Sequence, residues 1–428
     1  MTTPPLRPTE DTPDAVVATG ESAAAERDEG AAAAGAAAST TGVIAVTLAG
    51  VAAFLNLYAT QPLLPMFAKT FAASKSAVGM TVSASTLGVA LSAPLCGLLA
   101  ERVGRKRVIA AATLLLAAPT LLAATSSSLG ALIFWRFLQG VVMPGIFGVT
   151  IAYIAEEWPS ANVARVMSIY VSGTVLGGFL GRVLTGYPAT HSIFPGVAPS
   201  WHIGFLVIGA CDLVFAAVIA RWLPADRKPA AATHAAAPGS RGILRHLRNP
   251  RLVATYAVGF NVLFSLVTIF TYITFHLAAE PYRLTPAELS WLFVVYLVGL
   301  VVTPLAGAWI GRVGSRKALI AAVAVSMAGV TLTLAHSLPV ILVGLVLCSS
   351  GVFVCQSAAT SYIHTAAPAG GRASAAGLYV TFYYVGGSVA GVVPGFGWSL
   401  GGWTACVVLV LIVQALTIGI AASGWKEG

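Results

Sequence analysis

Gly97-Leu98-Leu99-Ala100-Glu101-Arg102-Val103-Gly104-Arg105-Lys106-Arg107 lies between two long apolar runs. A weaker copy recurs 210 positions later as Gly307-Ala308-Trp309-Ile310-Gly311-Arg312-Val313-Gly314-Ser315-Arg316-Lys317. The shared pattern is a Gly-x3-[acid/Gly]-Arg-x-Gly-x-[Arg/Lys]-[Arg/Lys] turn joining two apolar helices. Found twice, it marks a chain of two related halves, an arrangement that in membrane proteins puts a substrate site between the halves.

Composition fits that reading. Of the 428 residues 57% are hydrophobic and only 9% charged, with a mean hydropathy of +0.85. A soluble domain carries roughly a quarter charged residues. Twelve apolar runs approach or exceed the roughly 20 residues needed to cross a bilayer. They lie near 42–67, 77–100, 108–126, 129–153, 165–188, 201–223, 252–278, 287–310, 317–335, 338–363, 373–396 and 402–424. The chain therefore reads as an all-α membrane protein of twelve transmembrane helices in two six-helix, pseudo-symmetric halves. Pro119 and Pro144 stand where they would bend their helices.

The net charge of +9 could suggest a nucleic-acid partner, so the placement of the 24 Lys and Arg decides. With the N-terminus in the cytoplasm, 19 of them fall on the cytoplasmic side. Only Lys69, Lys75 and Arg283 fall opposite, and Arg136 and Arg182 lie inside spans. Excess basic residues mark cytoplasmic loops. The expectation is an inner-membrane protein with both termini cytoplasmic and no nucleic-acid partner. The five cysteines all fall in apolar spans without a CxxC pair, which suits buried reduced thiols.

Residues 1–41 are rich in Ala, Glu, Thr and Pro and lack the short apolar core of a signal peptide. They read as a disordered cytoplasmic tail. Residues 42–223 form the first six-helix half, 224–251 a central cytoplasmic loop, and 252–428 the second half with a short tail. Within that loop Ile243, Leu244 and Leu247, beside Arg241, Arg245 and Arg248, suit either a short helix on the inner leaflet or a solvated linker.

The repeat extends beyond the basic turns. Ala152-Tyr153-Ile154 matches Ser361-Tyr362-Ile363. The fifth span carries Gly173-x3-Gly177-x3-Gly181 and the eleventh Gly387-x3-Gly391-x3-Gly395. Small residues at every fourth position let helix backbones approach closely. With these features the chain resembles the major facilitator superfamily across residues 42–425. The two basic turns and Arg136-Phe137-Leu138-Gln139-Gly140 in the fourth span carry the resemblance. The glycine-rich fifth span and Arg136 are similar to the proton-coupled efflux branch of drug and sugar permeases. The chain departs from the family pattern at Glu101, where Asp is usual, at Gly311, which replaces an acid, and in a fifth span without proline.

This resemblance implies a monomeric secondary transporter without cofactors, exporting a small organic solute in exchange for protons. It also implies a conformational latch built from Gly97, Glu101, Arg102, Gly104, Arg105 and Lys106, with Gly307, Arg312, Gly314 and Arg316 in the second half. The residues themselves add that Glu101 and Arg102 can pair across helix ends and that Gly104 permits a tight reversal. The rival is an uptake symporter for a small metabolite or organic anion, with Arg136 or Arg182 holding a carboxylate.

Eight acids lie outside the tail, and only Asp212 is central in an apolar span. An ionisable group there marks a proton relay, a substrate site or a partnered cation. Arg182 stands roughly 9 Å from the outer end of its span and Asp212 roughly 16 Å deep, so an Asp212 pair with Arg182 or Arg136 is within reach. Asp212, Arg136 and Arg182 are thus the proton-coupling candidates, with a static pair or a neutral, hydrogen-bonded Asp212 as the alternative. Asn56, Tyr58 and Gln61 form a polar patch ahead of Pro62 and Pro65, and prolines free backbone groups that a cavity or neighbouring helix must satisfy. These three, with Gln139, Tyr272 and Gln356, are the candidates for lining a substrate cavity. The chain has no P-loop lysine and no HExxH motif, which argues against an ATP-driven pump and a metalloprotease.

Overall fold

In hydrocarbon every backbone N–H and C=O must find a partner within the chain, so long apolar runs become helices. The structure, a computed structural model, describes residues 40–226, 245–368 and 371–425. Ten of its spanning helices are α1 (Thr40–Thr70), α2 (Lys75–Val103), α3 (Arg105–Ala123), α4 (Leu129–Glu157), α5 (Ser160–Gly186), α6 (Trp201–Trp222), α7 (Pro250–Ala278), α8 (Pro286–Val313), α9 (Ser315–Leu332) and α10 (Leu338–Ala366). The last stretch, Arg372–Gly424, runs helical for 53 residues. Straight, it would be about 80 Å long, more than twice the hydrocarbon thickness. It is broken at Gly401 and Gly402, the latter at φ 59°, giving α11 (372–400) and α12 (403–424). The count of twelve helices in two halves, α1–α6 and α7–α12, therefore stands. Most of the expected tail, and the central segment with Ile243 and Leu244, lie outside the described residues.

Two glycines set the basic turns. Gly104 and Gly314 adopt φ 101° and 87°, a region where a side chain is strained, and each caps one helix while opening the next. Prolines act unevenly. Pro144 follows a break at Met143 in α4, whereas Pro119 lies inside an unbroken α3. In α1 the helix stops at Leu57 and resumes through a short 3-10 turn, Gln61–Leu63, that contains Pro62.

The fifth-span glycines pack α5 against α1. A side chain at Gly177 would meet the Val51 carbonyl at 2.5 Å, and one at Gly181 would strike the Leu55 carbonyl. In α11 the glycines serve two contacts. Gly386 and Gly387 lie against Phe260 and Leu263 of α7, while Gly391 and Gly395 lie against Gly79, Ser83 and Ser76 of α2, in the other half.

The halves meet closely at the face opposite the basic turns, here called the far face. There Ser83 Oγ donates to the Ser388 carbonyl at 2.5 Å, and Tyr272 Oη, beside Gly79 of α2, donates within its own half to the Gly391 carbonyl at 2.8 Å. Lys75 Nζ sits 5.1 Å from the centroid of Trp398 and 5.7 Å from that of Phe275. On the other side of the bundle Gly186 of α5 abuts Pro286 and Ser290 of α8.

Candidate functional site

Between the halves lies a cavity of about 450 Å³. Its closed end, toward the far face, is formed by Tyr58, Gly178, Arg182 and Tyr296, and its mouth by Ile151, Thr360, His364 and Ala376 near the basic face. The walls are aromatic: Phe54, Phe147 and Tyr170 from the first half face Phe353, Tyr379, Tyr383 and Tyr384 from the second. Phe147 and Tyr384 touch across the divide with ring centroids 5.9 Å apart. Gln356 accepts from Tyr383 Oη at 3.2 Å, and Arg182 is the lining residue that carries a fixed charge.

Of the six residues expected to line a cavity, Tyr58 and Gln356 do so. The other four do not. Asn56 and Gln139 are fully buried behind the first-half wall, Gln61 lies between the halves, and Tyr272 belongs to the far-face contact. Tyr170, Tyr296, Tyr379, Tyr383 and Tyr384 were not singled out by the sequence. Their signal is present, since Phe54 and Tyr58, like Tyr379 and Tyr383, stand four residues apart on one helical face.

Asn56 is the hub of a buried network. Its Nδ2 donates to both carboxylate oxygens of Asp212, at 3.1 and 3.0 Å. Its Oδ1 accepts from Thr120 Oγ1 at 2.8 Å and from Gln139 Nε2 at 3.1 Å. Gln139 Oε1 in turn accepts from Arg136 at 2.6 Å. Among the described residues Asp212 forms no direct pair with an arginine, contrary to one sequence expectation. The carboxylate and the guanidinium are joined through two amides.

Arg136 is saturated. Its Nε donates to the Thr81 carbonyl at 3.1 Å, Nη1 to the Asn56 carbonyl at 2.7 Å and to Gln139, and Nη2 to the Leu57 carbonyl at 2.5 Å and to Ser85 Oγ at 3.1 Å. All five N–H groups are engaged. Asn56 and Leu57 end the first stretch of α1, so the guanidinium caps the broken helix from its C-terminal end, where cations are favoured. Arg182 differs. Nε and Nη2 both donate to Gln61 Oε1, at 2.9 and 2.6 Å, and Nη1 donates to the Gly178 carbonyl at 2.5 Å.

The first basic turn draws its acids from elsewhere than expected. Glu101 and Arg102 are exposed and form no ion pair among the described residues. Instead Arg105 is held bidentately by Glu156 of α4, with one contact at 2.7 Å. Asp226, just past α6, accepts from the Lys106 backbone N–H at 3.1 Å and fills the space beside Gly104. In the second turn Gly307 faces open space, and Arg312 and Arg316 have no ion pair among the described residues. Near the start of α11, His246 Nε2 lies 2.7 Å from Ser374 Oγ, and burial, followed by neighbouring Arg245, holds its imidazole below the usual histidine range.

The Major Facilitator Superfamily profile matches residues 46–280 and 262–425. The chain is 31% identical to the inner membrane transport protein YnfM of Escherichia coli, over 88% of this chain and 89% of that one. It is 30% identical to the uncharacterized MFS-type transporter YybF of Bacillus subtilis, over 88% and 91% respectively. Among solved structures, an inward-facing, unoccupied bacterial homolog of the human lysosomal transporter Spinster superposes with a TM-score of 0.74 at 15% identity, covering 89% of this chain and 95% of that one. The nucleoside transporter NupG gives 0.75 at 10% identity, covering 90% and 100%. At these identities the structural likeness speaks for the fold alone.

Proposed function

The chain belongs to the major facilitator superfamily, a family of membrane transporters and not of enzymes, and from that premise we propose that it exports a small organic solute in exchange for protons. The carrying observation is the cavity between the halves, sealed at the far face and open at the basic one. Lys and Arg gather on cytoplasmic loops, so the basic face is assigned to the cytoplasm. In this state the site then draws its cargo from inside the cell.

Asp212 is the proposed proton carrier. It is fully buried in a span, bonded to an amide and not to a cation, which supports a group that gains and loses a proton. A protonated carboxyl must donate. Asn56 Oδ1 already accepts from Thr120 and Gln139, so a proton on Asp212 is taken up by the neighbouring Thr120 hydroxyl or by a turn of the Asn56 amide. That turn is felt at the break of α1, two residues from Tyr58 in the cavity wall. Arg136, with every donor engaged, serves as the fixed end of this chain.

The test is counterflow in proteoliposomes with pH gradients of each sign, using labelled aromatic acids, amines and neutral compounds. Export coupling predicts that solute leaving the cytoplasmic-side compartment is driven by protons entering it, and the opposite sign would establish the uptake symporter. Asp212→Asn should retain solute exchange and lose at least about tenfold of the gradient-driven accumulation, a loss of about 1.4 kcal/mol of driving force. Unchanged accumulation in that variant would remove Asp212 from the coupling.

A further inference from the structure

Arg182 stands at the closed end of the cavity, 1% exposed, with no carboxylate beside it among the described residues. The rings of Phe293, Tyr296 and Tyr58 surround its guanidinium carbon with centroids at 4.3, 4.8 and 5.1 Å. Removing a cation from water is costly unless an anion or a full set of hydrogen bonds replaces the solvent. Here three N–H groups are bonded, all to neutral oxygens, and two remain. The occupied edge is informative. Nε and Nη2 form the side of a guanidinium that a carboxylate grips with two parallel bonds, and a single amide oxygen of Gln61 now spans both.

The other end of the same amide reaches across the molecule. Gln61 Nε2 donates to Thr271 Oγ1 of α7 at 3.2 Å, and these residues are 210 positions apart, the offset of the repeat itself. They are equivalent positions of the two halves meeting on the pseudo-twofold axis, on the sealed side of the cavity. Gln61 is therefore clamped between the cavity's cation and the opposite half. A second polar group waits nearer the mouth: Tyr379, 3% exposed, lines the cavity with a hydroxyl that has no hydrogen-bond partner among the described residues.

We infer that the cargo is an organic carboxylate with an aromatic body, which replaces Gln61 on the Nε/Nη2 edge of Arg182 and thereby releases the Gln61–Thr271 tie between the halves. Two parallel charge-assisted bonds outcompete one shared neutral acceptor, and the aromatic walls take up the apolar body. The displaced amide no longer needs its place between the halves, so loading and loosening of the far-face seal are one event. An unloaded protein keeps the tie. This inference rests on the transporter reading above.

The experiment compares 2-naphthoate with its neutral isostere 2-naphthamide on the purified full chain in nanodiscs, reading Kd from tryptophan fluorescence. The acid should bind about tenfold or more tighter than the amide, the factor expected for a charge-assisted contact. Gln61→Ala removes the internal competitor and should tighten naphthoate binding several-fold. Gln61→Glu, of the same shape, supplies its own carboxylate to Arg182 and should abolish it. A residue that merely supported the fold would weaken binding in both variants, so opposite signs are the signature. Equal binding of acid and amide, binding of neither, or undiminished naphthoate binding in Gln61→Glu overturns the inference; the wild-type comparison alone suffices if a variant fails to fold. Vesicles that move naphthamide but not naphthoate would leave a transporter with the wrong cargo assigned. Protein that binds naphthoate with these variant signs but never moves it would instead sink the transporter reading.

Discussion

Around the break in α1, the first half buries Asn56, Thr120, Arg136, Gln139 and Asp212 in one connected network. Aligning each span on its counterpart, the second half carries Leu266, Val330, Leu345, Cys348 and Gln414 at these positions. The first half holds this trace by an extended hydrogen-bond network, whereas the second reduces it to Gln414 Nε2 donating to Ser326 Oγ at 2.8 Å amid mostly apolar packing. Arg182 likewise faces Val392 as its counterpart. The second half contributes most of the phenolic rings of the cavity. Duplication supplied two equivalent scaffolds, and the chemistry was divided between them: polar logic in one, an aromatic wall in the other.

That contrast is open to direct attack. Arg136→Leu leaves the carbonyls of Asn56, Leu57 and Thr81 buried without their donor. Breaking one side of a buried charged network costs roughly 3–5 kcal/mol, so monodisperse yield and thermal stability should collapse. Its counterpart Leu345→Met should cost under about 1.5 kcal/mol by the same melting measurement, as volume-conserving swaps in apolar packing usually do. Similar losses at the two positions would erase the contrast.

The glycine ladders sharpen it. Gly181→Val forces α5 away from α1 within one half and should destabilise by about 1–3 kcal/mol in thermal unfolding. Gly391→Val strikes α2 across the divide at Gly79. It should spare the melting temperature more and open the far face, widening the distance between spin labels placed at positions 69 and 283. The smallest effect concerns the basic turns. Asp226→Ala uncaps α3 and should cost about 1 kcal/mol. Arg316→Gln in the second turn, which lacks an acidic partner among the described residues, should leave the melting temperature within experimental scatter.

The spans and the repeat were legible because both follow from local rules: length against bilayer thickness, and glycine at every fourth position. Even the break at Gly401–Gly402 falls where the apolar run pauses. The site was legible only in part. Asn56 and Gln139 were expected to face a cavity, yet they face each other and Asp212. In hydrocarbon a polar side chain seeks another polar side chain as readily as water, so polarity forecasts a partner and not an opening. The aromatic wall was missed for the converse reason. Tyr379 or Tyr383 looks like any core residue until the neighbouring half is brought opposite it. The acids that hold the first basic turn were missed because Glu156 and Asp226 lie far from it in sequence.

Asp226 also bears on how the chain is made. Lys106 receives its acceptor from a residue 120 positions later, so the third helix enters the bilayer with its first turn uncapped. At ordinary rates of synthesis that condition lasts on the order of ten seconds, until α6 and the residues after it have left the ribosome. The carboxylate then closes the first turn before any helix of the second half has emerged. One aspartate thereby couples completion of six helices to the locking of a turn made much earlier, and the nascent chain finishes one half of the machine before it starts the other.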